Sequence, residues 1–383
     1  MTRFGDLRIL GLRILAPVAA VAFALGIASI VLLISGNAPL DAFSSMLEFG
    51  SRSESIISTV NRAVPLYLSG LAVAIGFKMG LFNIGVEGQY TIAVLLAAGL
   101  GAAVDLPAPL HVAFIVTVAM LVGSAWAGVA GALKVTRGVH EVISTIMLNV
   151  IAGGLVAYML RNYFIDKADT TLNLQTEKLS TSGQFPSLNP VLEWLGVNLK
   201  PGADLGGFVI IALVFGLLYY VLVWRTRFGY DLRATGVSAL AAQASGVRPK
   251  AMTMQAMLLS GAVAGLVGLP TLLGFSYNYN LDFPTGLGFA GITAALLGRN
   301  HPVGIAIGAL LLGFLDRSSQ ILDLEGIPKE IVVIMEGVIV LSVVVAYEVV
   351  QRIVDAQEQR RASGSASDDG GGTADVATAG APA

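Results

Sequence analysis

LHVAFIVTVAMLVGSAWAGVAGAL, residues 110–133, runs for 24 residues without a carboxylate, lysine, arginine or proline. As a helix rising about 1.5 Å per residue it reaches roughly 36 Å, enough to cross the ~30 Å hydrocarbon core of a bilayer. A helix that is apolar on every face belongs inside a large core or a membrane. The rest of the chain decides for the membrane. Of 383 residues, 55% are hydrophobic and only 13% charged, about half the charge of an ordinary soluble domain, and mean hydropathy is +0.77. A water-soluble enzyme is excluded. The 45 glycines suit close-packed membrane helices.

Outward from 110–133, nine further apolar stretches are spaced as spans: 14–34, 60–77, 89–104, 142–160, 207–224, 251–273, 286–298, 302–316 and 330–348. The expected fold is therefore all-α and polytopic, with about ten transmembrane helices. Stretches 286–298 and 302–316 are short and could be half-helices or re-entrant segments. Arg3, Arg8 and Arg13 precede the first stretch, whose apolar run is longer than a signal core, and Pro39 spoils the best cleavage point. It reads as an uncleaved anchor. With both termini in the cytoplasm, inside segments carry 15 of the 23 basic residues, as the positive-inside rule requires. Residues 1–350 then form one transmembrane domain, and 351–383 a helical stub followed by a Gly/Ala/Ser/Asp tail expected to be disordered.

Several loops carry information. Residues 161–206 fall outside and contain a short helix in NPVLEWLGV, with Asn189 as cap and Pro190 in its first turn. Residues 37–58, also outside, are expected to lie along the membrane surface with Leu40, Phe43, Met46 and Leu47 on one face. SGLAVAIG at 69–76 echoes SGAVAGLVG at 260–268, the kind of internal repeat that transporters use.

Chemistry-bearing residues are few. There is no cysteine, only three scattered histidines, and no GxxxxGK[ST], so neither a metal site, a resident cofactor nor a nucleotide-hydrolysis site is expected, and no residue is assigned a catalytic role. A net charge of −2 gives no reason to expect nucleic acid as a partner. GLGFAG at 286–291 opens an apolar span rather than following a strand, so it reads as helix packing, as do the GxxxG pairs Gly76–Gly80, Gly261–Gly265 and Gly304–Gly308. In KMGLFNIGVEGQY, 78–90, Asn83, Glu87 and Gln89 interrupt an apolar hairpin. A carboxylate in membrane lines a cavity or takes a partner; Glu87 either faces a substrate pathway, or caps a helix start or pairs with Lys78 near the cytoplasmic surface. In RGVHEVISTIMLN, 137–149, Glu141, Thr145 and Asn149 share one helix face with Ser144, fit for a polar pathway or for a bonded contact with another helix. SYNYNLDFP, 276–284, is either an aromatic interface belt or a docking surface.

The inside loop 225–250 is the most basic stretch. Between Gly236 and Gly246 it holds a small-residue helical run with Ala239, Leu240, Ala241 and Ala242. A short Ala-rich helix outside the bilayer is expected to dock into a partner's groove.

Together these stretches resemble the permease subunits of ABC importers in the ribose, branched-chain amino acid and nucleoside group, most closely the nucleoside or simple-sugar type. LFNIGVEGQY at 81–90, HEVISTIMLNVIA at 140–152 and GFAGITAALLGRNHPVG at 288–304 carry the likeness, in that order. The group's coupling loop commonly reads Glu-Ala-Ala, three residues, then Gly; here Leu240, Ala241 and Ala242 precede Gly246, so Leu240 stands where Glu is usual. The resemblance implies a multi-pass protein of the bacterial cell membrane, surrounded by membrane lipid and carrying a small polar solute. Its implied partners are two ABC ATPase subunits, a second permease and an extracytoplasmic solute-binding lipoprotein, with Gly236–Gly246 coupling to the ATPase. The competing reading is a stand-alone channel or secondary transporter, with Glu87 or Glu141 as proton carrier.

Overall fold

The computed structural model describes residues 22–23, 25–166, 174–194, 196 and 203–328, with scattered residues between 331 and 352. Backbone contacts divide the chain into two units, Met1–Ala42 with Ile327–Ala383, and Phe43–Gly326. The order of helices is α1 Leu25–Ile34 and α2 Pro39–Gly50, then α3 Ser53–Lys78, α4 Val86–Ala102 and α5 Ala108–Arg137. There follow α6 Glu141–Phe164, α7 Asn189–Trp194, α8 Phe208–Arg225, α9 Arg227–Val237 and α10 Ala239–Ala244. The last three are α11 Pro249–Ser276, α12 Leu287–Leu297 and α13 Pro302–Leu324. Among the described residues there is no strand beyond three isolated bridges.

Six of these helices are long and apolar enough to cross a membrane, or seven if α1 and α2 count as one broken span. The expected stretch 60–77 starts earlier, at Ser53, and Arg62 within it pairs with Asp316 of α13. The expected 302–316 likewise lengthens to Leu324. Helices α4 and α12 have 17 and 11 residues, about 26 and 17 Å, and fall short of a full crossing. The stretch 14–34 is described only from residue 22 and 330–348 only in scattered positions, and the tail lies outside the described residues.

In the unit 43–326, α3 and α11 are the buried centre, with 78% and 72% of their apolar windows covered, against 22% for α5 and α6. The echo segments meet there: Ser260 Oγ donates to the Ala72 carbonyl at 2.6 Å. Glycines set the closest approach. A Cβ on Gly265 would lie 2.0 Å from the Ala119 carbonyl oxygen, and one on Gly261 2.4 Å from that of Gly123. The Gly261–Gly265 pair is thus a close α5–α11 contact, as read from the sequence. Gly80 is not: with φ +71 it turns the chain after α3.

The described residues 174–185 of the 161–206 connection are stitched down. Thr176 and Leu179 donate backbone bonds to Tyr279 and Tyr277, each at 2.8 Å, and Phe185 donates to Leu273. Residues 276–284 are therefore no exposed belt: Tyr279 and Phe283 are buried against each other, ring centroids 5.1 Å apart. Asn189 does not cap α7; its amide holds Ala203, Asp204 and Leu205. On α2, Leu40 and Leu47 are exposed whereas Met46 is buried, so the four residues expected on one face divide between two.

Candidate functional site

Between α3 and α4 the chain leaves helical geometry over Met79–Gly85, and its peptide groups need partners that a helix would have supplied. The polar residues singled out in the sequence supply them. Asn83 Oδ1 accepts from Gly85 N at 3.1 Å, and Glu141 Oε1 from Phe82 N at 3.3 Å. Asn149 works twice: its Nδ2 donates to the Ile84 carbonyl and its Oδ1 accepts from Gly88 N, both at 2.9 Å.

Asn83 and Gln89 are joined amide to amide. Gln89 Nε2 donates to Asn83 Oδ1 at 2.8 Å, and Asn83 Nδ2 donates to Gln89 Oε1 at 3.0 Å and Ser260 Oγ at 2.8 Å. All three side chains are buried, where polar groups persist only when bonded. Glu141, also buried, forms an ion pair with Lys134 near the end of α5. Its own carbonyl accepts from Thr145 Oγ1 at 2.7 Å. The i, i+4, i+8 spacing of Glu141, Thr145 and Asn149 thus turns one face of α6 toward the break. Gly85 and Gly88 permit this approach, since a Cβ would sit 3.0 Å from Thr145 Cβ and 2.9 Å from Asn149 Cα, respectively.

Glu87 is half-buried and does not pair with Lys78, whose ammonium lies over the Trp224 ring at 5.2 Å. Its carboxylate accepts from Gly286 N at 2.7 Å and Gly288 N at 2.8 Å, with the Tyr90 hydroxyl at 3.0 Å. Those amides open α12, so Glu87 caps a helix start, that of a segment 200 residues away. The negative charge complements the helix N-terminus. Sequence reading missed Gly286, Gly288 and Ser260 because no local pattern ties them to Glu87 or Asn83; Tyr90, at i+3 from Glu87, was the one partner that helix spacing could have found. GLGFAG gave their neighbourhood as packing: a Cβ on Gly291 would meet Ser69 Oγ at 1.9 Å.

The Ala-rich inside helix forms as α10. Ser238 Oγ accepts from Ala241 N at 3.3 Å, a side-chain N-cap, and Gly246 at φ +87 ends it. Ala242 is buried against its own chain, whereas Leu240 is 81% exposed and Val237 90%. Gly236 lies against the end of α3, where its Cβ would be 2.6 Å from the Lys78 carbonyl oxygen. Gly236, at the head of the Gly236–Gly246 segment, and the break therefore touch. Among the described residues no three His, Asp or Glu converge as a metal site would require.

A bundle of apolar spans around one polar, helix-breaking knot, with no assembled reactive group, is the build of a membrane transport subunit. The chain belongs to the family described as branched-chain amino acid transport system / permease component, which matches residues 55–344. It is a multi-pass permease subunit of an ABC transporter, not an enzyme, and ATP hydrolysis belongs to a separate ATPase subunit. It is 34% identical over 340 residues to the guanosine ABC transporter permease protein NupP of Bacillus subtilis, covering 88% of this chain and 94% of that one. Identity is 30% over 345 residues to the nucleoside ABC transporter permease protein NupB of Lactococcus lactis, with 88% and 92% covered. It is 29% over 360 residues to the glucose ABC transporter permease protein of Haloferax volcanii, with 94% of each covered. In the first two organisms a second, more distant permease protein matches as well. No solved structure matches.

Proposed function

We propose that the chain is the permease of an importer for nucleosides in a bacterial cell membrane, with about ten membrane helices, of which α4 and α12 are too short to cross alone, and both termini in the cytoplasm. It pairs with a second, non-identical permease, two ATPase subunits and an extracytoplasmic binding lipoprotein. The names of the relatives favour a nucleoside, with a simple sugar as the alternative; paired permeases in two organisms favour two different chains.

The observation that carries the mechanism is the continuity from α10 to α12. Gly236 abuts the end of α3, the break after α3 is held by Asn83, Gln89, Glu141, Thr145 and Asn149, and Glu87 leads from the break to α12. A push at exposed Leu240 of the coupling helix Ala239–Ala244, and at Val237 ending α9, is thereby delivered to two short helices that start side by side. Of the six polar residues, half-buried Glu87 and Asn149 meet the solute, and the other four hold the wall they stand in.

The test is uptake of labelled guanosine by liposomes carrying the complete complex with ATP. Excess unlabelled nucleosides should abolish it and excess glucose should not. Competition by glucose alone would transfer the assignment to the sugar class.

A further inference from the structure

At the opposite end of α3 from Ser53, cations and aromatic rings gather at one corner. Lys78 Nζ lies 5.2 Å from the Trp224 ring centroid, Trp224 is 5.4 Å from His301, and Tyr220 stacks on Trp224 at 5.8 Å. Arg225 covers the other ring, Tyr220, at 5.8 Å. Arg233 stands three residues before Gly236, whose backbone touches Lys78, and Arg299 two residues before His301. Both arginines lie close enough to Lys78 to act on its charge. Lys78 and Arg233 are half-buried, and among the described residues neither has an ion-pair partner. Like charges brought together where water is partly excluded repel, unless an anion joins them.

We propose that this corner holds the phosphate of an anionic membrane lipid. Trp224 and Tyr220 close the span α8, where aromatic residues mark the headgroup level, and basic pockets between spans take anionic headgroups. The adjoining face of α8 supplies the path for acyl chains: Leu213, Leu217 and Val221 stand exposed along one stripe ending at Trp224. A protein carboxylate would use the cations but not that stripe. Because Arg233 belongs to α9, which leads into α10, the lipid braces the coupling segment on the bundle core. The site depends only on membrane placement and not on which solute is carried.

The experiment is native mass spectrometry of the detergent-purified full chain titrated with phosphatidylglycerol or phosphatidylcholine. Wild type should retain phosphatidylglycerol selectively. Each basic side chain near a headgroup is worth about fivefold in affinity, so Lys78→Gln with Arg233→Gln should weaken retention about thirtyfold. Lys78→Arg with Arg233→Lys should keep it, which separates lost charge from misfolding, and so should Arg52→Gln, at the opposite end of α3. Equal retention of phosphatidylcholine by wild type, or of phosphatidylglycerol by the Gln pair, overturns the proposal. Displacement by millimolar glycerol 3-phosphate would make it a free-phosphate site. Unchanged lipid with lost ATPase capture in the Gln pair would make it a protein contact.

Discussion

A single carboxylate carries the join between the two halves of the polar knot. Both Glu87 oxygens accept backbone N–H bonds at the start of α12, so Gln there is not a neutral exchange: its NH₂ must face an amide donor. A buried donor left unpaired costs about 1–3 kcal/mol, and the charge that favours the helix N-terminus is lost as well. Glu87→Gln should therefore lower the melting temperature in detergent and the uptake rate together. A melt unchanged from wild type would remove the capping role and leave only a solute contact. Asn83→Leu deprives Gln89, Ser260 and Gly85 of partners at once, and should be more damaging, with loss of monodisperse protein as the readout. Local spacing in the sequence was sufficient to put Glu141, Thr145 and Asn149 on one face and to mark 78–90 as a break. The distant partners of Glu87 and Asn83, Gly286, Gly288 and Ser260, were illegible because they lie some 180–200 residues on, where only tertiary packing selects one group among many.

At the scale of the element, α10 forms where the sequence reading put it, with Ala239, Leu240 and Ala241 exposed and Ala242 not. A short helix between Gly236 and Gly246 was legible in the sequence; its cap at Ser238 and the side it presents were not, since a six-residue, alanine-rich helix has no amphipathic period. Ala242 turns inward, so Ala242→Trp overpacks the chain's own α9–α10–α11 contact, at about 1–3 kcal/mol, and confuses misfolding with lost docking. Leu240 is the informative position. Leu240→Ser should leave the melt within about 0.5 kcal/mol, as exposed sites do, while weakening ATPase capture in a detergent pull-down. Full capture would show that this helix is not the contact. The α5–α11 pair offers the converse case. Gly123→Leu would force a side chain into the Gly261 carbonyl, 2.3 Å from where its first carbon would stand, and should abolish folded protein. The aromatic belt at 276–284 was misread because a segment distant in sequence, 175–179 beside Tyr279, claimed a face that the local pattern assigned to lipid.

For the whole molecule, the decisive question is whether this chain moves solute unaided. A stand-alone carrier would need an energy input inside its own fold, and the natural one is a titrating carboxylate. Neither candidate is placed for that work. Glu141 is buried in an ion pair with Lys134 and also accepts from Phe82 N, and Glu87 is committed to Gly286 and Gly288; protonating either would cost the bonds that hold the break. Energy must then arrive from outside the bilayer, and the exposed Leu240 and Val237 beside Gly236 are where a partner can deliver it. The purified chain in liposomes should show no concentrative uptake of labelled guanosine under an imposed proton gradient. Adding the second permease, the ATPase and ATP should restore uptake, and replacing ATP with a non-hydrolysable analogue should stop it. Gradient-driven accumulation by the chain alone, abolished in Glu87→Gln, would instead make Glu87 a proton carrier and the α10 surface incidental to the transport cycle.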